Sequence, residues 1–159
     1  MYGQAGACQV TEIGPLPGGR PDRRYYTLRP VDGAGVIYVP VDTQVWMEPV
    51  FSRQEAESLL GRAAAIGAWS PGAPGRLQQQ EAQYRALFRR HSREALVGML
   101  KTVERKRSQG RGRLGSVDDR YGRLAEKILS SELSVALALP LEEARRRLLL
   151  SVGGSPRTT

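Results

Sequence analysis

Ten basic side chains crowd the stretch from Arg85 to Arg113: Arg85, Arg89, Arg90, Arg93, Lys101, Arg105, Lys106, Arg107, Arg111 and Arg113. Only Glu94 and Glu104 oppose them. On a helix, Arg89 and Arg93, or Lys101 and Arg105, stand four residues apart and share a face. Cations at that spacing suit the phosphate oxygens of a nucleic acid, whose neutralisation releases condensed counterions. Contacts of this kind supply affinity and register but read no base edges, so sequence readout is not expected. A charge run is commonly a solvated helix surface, but two acids are too few to balance ten cations, and nucleic acid is the preferred partner. Upstream, Arg76 adds another cation. Trp69, in the Pro/Gly-rich segment AWSPGAPG, is a candidate apolar wedge for a base step; its competing role is to cap the helical core.

Other chemistries find little support. Cys8 is the only cysteine and His91 the only histidine. An intrachain disulfide or a cysteine metal cluster is therefore excluded, and a Ser-His-Asp arrangement has one candidate base. Cys8 alternates with Val10 along an expected strand and reads as a buried, inert thiol. His91 has no neighbouring acid to orient it. Asp118 and Asp119 fall in a first helical turn, where acids complement the helix dipole. The glycines of GQAG and GGR lack the remaining pattern of a phosphate loop. The expectation is a protein with no catalytic residue, no metal, no cofactor and no small-molecule substrate.

The elements that position these side chains are of two kinds. Residues 1–50 hold four arginines against five acids, whereas residues 51–159 hold twenty basic residues against eleven acidic. A near-neutral segment joined to a basic one, within a chain of net charge +8, suggests two modules with different partners. In the first, ACQVTEI, RYYTL and VIYVPV are β-branched and aromatic, and PLPGGRPD and RPVDGAG carry turn chemistry. Three strands are few for an isolated sheet, so either a further strand is hidden or the sheet leans on its neighbour. Trp46, between sheet and helices, reads as interdomain packing.

From residue 51 the apolar period lengthens to that of a helix. Ser52 and Glu55 form a capping box ahead of Ala56, Leu59, Leu60, Ala63 and Ala64. A polar helix follows from Leu77 to about Phe88, and Ser92 caps one carrying Leu96, Met99, Leu100 and Val103. Ser116 with Asp119 is expected to cap a long helix striped by Tyr121, Leu124, Ala125, Ile128, Leu129 and Leu133. Pro140 opens the last helix, and the tail from 154 to 159 is expected to be disordered. The apolar stretches are shorter than the roughly 18 residues of a membrane span, so a cytoplasmic protein is expected.

The order of these pieces resembles the CarD family of bacterial transcription regulators. YGQAGACQVTEI, YYTLRPV and IYVPVDTQVWMEPV before an EAESLL helix are similar to its RNA-polymerase-interacting domain, a Tudor-like β module shared with transcription-repair coupling factor. REALVGMLKTVERKR and LAEKILSSELSVAL before a final EEA helix are similar to its helical domain. The resemblance covers nearly the whole chain. It implies that the β module binds the RNA polymerase β subunit, through Val36, Ile37, Tyr38, Val39, Pro40, Asp42 and Glu48. It also implies that the helical domain meets promoter DNA at the upstream bubble edge and modulates open-complex stability, in a nucleoid-associated protein. Two departures stand out. The family's usual first strand is not found before Tyr2, and Glu48 stands where the family commonly carries arginine.

The expected architecture is α+β in two modules. Residues 1–50 form a small Tudor- or SH3-like antiparallel β-barrel, and residues 51–153 an all-α DNA-contacting domain of four to five helices. The DNA-binding residues are expected to be Trp69, Arg76, Arg85, Arg89, Arg90, Arg93, Lys101, Arg105 and Lys106. A structural, ribosome-associated RNA-binding protein using the same basic helices is the alternative.

Overall fold

The computed structural model describes residues 1–72, 76–111 and 113–154. The expected disordered tail lies, from 155 on, outside the described residues, as does part of the 68–75 linker. Strands β1 (Cys8–Gly14), β2 (Tyr25–Pro30) and β3 (Ile37–Pro40) form an antiparallel sheet in the order β1-β2-β3. Each strand falls where its β-branched and aromatic residues place it. The expected barrel is not closed. Three strands are too few to wrap a cylinder, and the β1–β2 register shifts between Val10 and Glu12, where a bulge bends the edge.

Register assigns the faces. Val10 pairs with Leu28, Ile13 with Tyr26, which also pairs with Val39, and Leu28 with Ile37. These side chains therefore share one apolar face. Leu28 and Val39 are buried at its centre, whereas Val10 and Ile13 stay about half exposed at 47% and 48%.

Five helices follow: α1 (Arg53–Arg62), α2 (Leu77–Phe88), α3 (Arg93–Gln109), α4 (Ser116–Leu137) and α5 (Leu141–Ser151). The Ser52–Glu55 capping box forms in full, and the Ser92 hydroxyl accepts from the Ala95 amide. Ser116 does not cap α4. Gly115 takes the N-cap position, and Ser116 is the first helical residue. Asp118, one turn on, points inward to accept from the Tyr84 hydroxyl, from Gln80 at 3.0 Å and from Lys106 at 3.0 Å. Helix α4 is the central element, with Ala125, Leu129 and Leu133 fully buried against its neighbours.

The segments that flank the sheet dock on α4. The Ala7 amide donates to Ser131 Oγ at 3.0 Å, and the Phe51 amide to Glu132 Oε1 at 3.1 Å. Gly6, at φ 78°, makes this approach possible: a β-carbon there would lie 2.6 Å from Ser131 Oγ and 3.4 Å from the Ile128 Cα. Two arginines complete the seam. Arg93 donates to Glu132 at 2.6 Å and to Glu48 at 2.7 Å, and Arg145 reaches Asp32 at 3.1 Å and Glu126 at 3.2 Å. Secondary structure changes type near residue 50, yet one apolar cluster runs from Met1, Ala7 and Phe51 through to Leu148 and Val152.

Candidate nucleic-acid interface

The basic run divides once folded. Arg85 pairs with Glu81 at 3.1 Å, Lys106 with Asp118, and Arg107 with Asp119 at 3.4 Å. Lys101 Nζ donates to the carbonyls of Ala64 at 2.9 Å and Ile66 at 2.6 Å, holding the turn that follows α1. Arg93 belongs to the seam. Of the two expected pairs, Arg89 and Arg93 do not share a helix, since Arg89 is the C-cap of α2 and Arg93 opens α3, whereas Lys101 and Arg105 both lie on α3 but only Arg105 is left without a partner among the described residues. Arg89, Arg90, Arg105, Arg111 and Arg113 make no side-chain hydrogen bond or ion pair among the described residues, nor does Arg76. They sit towards opposite ends of α3, a helix about 25 Å long at 1.5 Å per residue.

A groove runs beside the first of these groups. Its deeper part is lined by Gln4, Trp46, Phe88, Arg85, Arg89 and Arg93, and its shallower continuation by Arg120, Arg123 and Lys127. Gln4, Arg85 and Tyr121 border both parts. Six cations line it against Glu48 and Glu81, but Arg93 is taken by Glu48 and Glu132 and Arg123 by Asp119 at 2.8 Å. Arg120 and Arg85 share Glu81, and the Arg120 guanidinium holds that carboxyl below its usual range. Lys127 has no such partner among the described residues. The arrangement presents fixed positive charge along a concave surface, which is what backbone phosphates require.

Arg120, Arg123 and Lys127 were not among the sequence candidates. Their spacing of three and then four residues is a legible stripe on α4, beside the apolar one. It is easily overlooked because it lies outside the densest charge run.

Trp69 takes the capping role. Its ring packs against Tyr84 with centroids 4.9 Å apart, its amide donates to the Gly98 carbonyl at 2.9 Å, and its own carbonyl accepts from Thr102. Gly98 permits this contact, since a β-carbon there would stand 2.8 Å from the Gly67 carbonyl oxygen. The ring is engaged within the fold, against Tyr84, and not presented as a wedge. Trp46 packs between sheet and helices as expected and stacks on His91 at 4.3 Å.

The sheet candidates separate by the pleat. Tyr38 is 54% exposed, Val36 37%, and Asp42 is exposed, but Val39 is turned inward and buried. Ile37 and Pro40 are partly covered. Glu48 is bound in the seam, its carboxylate on Arg93 and its carbonyl on the Met1 amine at 2.7 Å. Val39 and Glu48 are thus held by the fold itself. Among the described residues β3 pairs on one side only, leaving its outer edge open.

Cys8 is half-buried where a buried thiol was expected, and this partial burial pushes its thiol up. No cluster of three or more metal-ligating side chains occurs among the described residues, and no described helix is long and apolar enough to cross a membrane. No known family model matches the sequence, and no curated protein matches it either.

Proposed function

We propose that the chain is a non-enzymatic transcription regulator of the CarD type. Its sheet holds the RNA polymerase β subunit, and its basic groove lies on the backbone of promoter DNA at the upstream bubble edge. The observation that carries this reading is the presence of two different surfaces, an exposed apolar one on the sheet and a cationic one on the helices, joined by one seam. Val10, Ile13, Val36, Tyr38, Val41 and Val45 are all exposed on the sheet module, and the open β3 edge suits strand addition by a protein partner. The unpartnered cations lie on the helical side, and the groove lies where the helices meet Gln4 and Trp46 of the N-terminal segment. With the seam fixing one to the other, a polymerase-bound protein presents its cations to DNA at a set distance. Differential affinity for melted over closed promoter then shifts that equilibrium. This reading places the protein in the cytoplasm at the nucleoid.

The test is retention of purified bacterial RNA polymerase, beside duplex and forked DNA, on the wild type and on two variants. Tyr38→Glu, at the exposed edge, is expected to lose polymerase and keep DNA. Arg89→Glu combined with Lys127→Glu is expected to do the reverse. Salt-dependent retention of ribosomal RNA with no polymerase bound would replace this reading with a structural RNA-binding role.

A further inference from the structure

Beneath the turn joining α2 to α3, the groove deepens into a cleft of about 330 Å³, at the small end of the roughly 300–1,000 Å³ of small-ligand sites. Its floor is carbon. Phe88, Tyr121 and Ile128 line it, the first two with ring centroids 5.6 Å apart. One wall is Trp46, with His91 stacked parallel on it at 4.3 Å and an interplanar angle of 2°.

That wall is built at a cost. His91 has φ 47°, a left-handed backbone that disfavours any residue with a β-carbon. Glycine would take the turn freely. Histidine there instead sets an imidazole flat over one face of the indole, covering that face and bracing the ring.

The rim is cationic. Arg89 has no intramolecular partner among the described residues, and Arg85 is held by Glu81 alongside it. The acid lining the cleft, Glu48, is matched by Arg93 at 2.7 Å, which Glu132 also holds. An aromatic floor, its two rings tilted by 46°, a π wall and guanidinium groups at the mouth together describe a ligand that is aromatic at one end and anionic at the other. Guanidinium forks match phosphate oxygens in geometry as well as charge.

We propose that this cleft binds a single nucleotide, its base laid between the Phe88–Tyr121 floor and the Trp46 wall and its phosphate on Arg89 and Arg85. The nucleotide comes either free or as an unpaired residue of a nucleic-acid strand. The free form is independent of the regulatory reading above, whereas the strand form rests on it.

Isotope-labelled full-length protein is titrated with guanosine diphosphate, guanosine, inorganic pyrophosphate and a single-stranded thymidine pentanucleotide, following the Trp46 and Trp69 indole signals. Guanosine diphosphate is expected to move the Trp46 signal and leave that of Trp69. Guanosine and pyrophosphate alone are expected to bind at least about tenfold more weakly, since each keeps half of the contacts. Arg89→Glu is expected to weaken the diphosphate about tenfold or more, the scale of a lost charge-assisted hydrogen bond. Arg105→Glu, elsewhere on the surface and equally unpartnered, is expected to stay within about twofold.

Displacement of the pentanucleotide by the diphosphate supports the strand source; diphosphate binding without pentanucleotide binding supports the free one. A Trp46 signal unmoved by both ligands overturns the proposal. So does an Arg105→Glu effect equal to that of Arg89→Glu, which would reduce the site to diffuse charge. Duplex and polymerase retention, measured on the same preparations, separate that failure from failure of the regulatory reading.

Discussion

The seam and the groove are built from the same kind of residue and use it in opposite ways. Arg93 and Arg89 stand four residues apart in one basic run. Arg93 is only 27% exposed, lies 4.7 Å from the Phe51 ring centroid and is spent on Glu132 and Glu48. Arg89 faces the groove with no partner among the described residues. What separates them is not their local sequence but the acids that folding brings in, 39 and 45 residues away. A cation's role is set by the partner the fold supplies, so a count of charge along a stretch overstates the surface available to a ligand.

The sharpest way to break this comparison is to remove both side chains. Arg93→Ala leaves Glu132, 1% exposed, as a buried carboxylate without its cation, and is expected to lower the unfolding free energy by about 3 kcal/mol. Arg89→Ala is expected to change it by less than about 0.5 kcal/mol. Urea unfolding of the two variants decides the matter, and equal losses would mean that the seam does not depend on its ion pair.

Asp118 extends the inward pattern to the helical body. The Tyr84 hydroxyl is pushed up by burial and then by Asp118, so it stays a proton donor. Tyr84→Phe removes one of the bonds to Asp118 while Lys106 and Gln80 remain. A loss of about 1.5 kcal/mol is expected by thermal unfolding; no loss would leave Asp118 outside the pattern of inward charge.

The groove is sharpened by a salt series. Lys127→Glu is expected to lower the slope of log affinity against log salt for duplex DNA by about one, without preference among sequences. An unchanged slope would remove α4 from the interface.

The smallest effect is set by pH. Glu94 is held below the usual carboxylate range by its own backbone amide and then by Arg62, and Glu55 by the Ser52 amide. Folded values below the unfolded ones mean that this stability is present above the ordinary value of 4.5 and is lost as pH falls through the folded values. Thermal stability is therefore expected to decline between about pH 5 and pH 3, in the wild type and in Arg89→Ala alike, because neither acid contacts Arg89.

Much of the fold was legible because its determinants are local. The strands follow β-branched and aromatic runs, and Ser52 with Glu55, and Ser92, cap the helices they precede. Ser116 misled because a serine before an apolar stripe has the same appearance at N-cap and N1; Gly115 takes the cap. Barrel closure failed because it depends on strand number and curvature, which no single segment encodes. In the site, Arg89 was legible from its charge. Gln4, Trp46 and the α4 stripe join it only through the docking of the N-terminal segment on α4, a contact between residues far apart in the chain.

That docking also sets an order in time. The hydrogen bonds from Ala7 to Ser131 and from Phe51 to Glu132, and the ion pair of Arg145 with Asp32, span 124, 81 and 113 residues. At the roughly 5–20 residues per second of synthesis, α4 follows the finished sheet by about 5–20 s. The sheet's three strands meet through local hairpins, and their apolar face meets Met1, Tyr2 and the 47–50 segment, so they need not wait; Gly6, Ala7 and Phe51 have nothing to dock on until α4 arrives. Assembly is therefore governed by its latest contacts rather than its first. Gly6 and Ala7, synthesised before α4, are among the last residues to reach their final place.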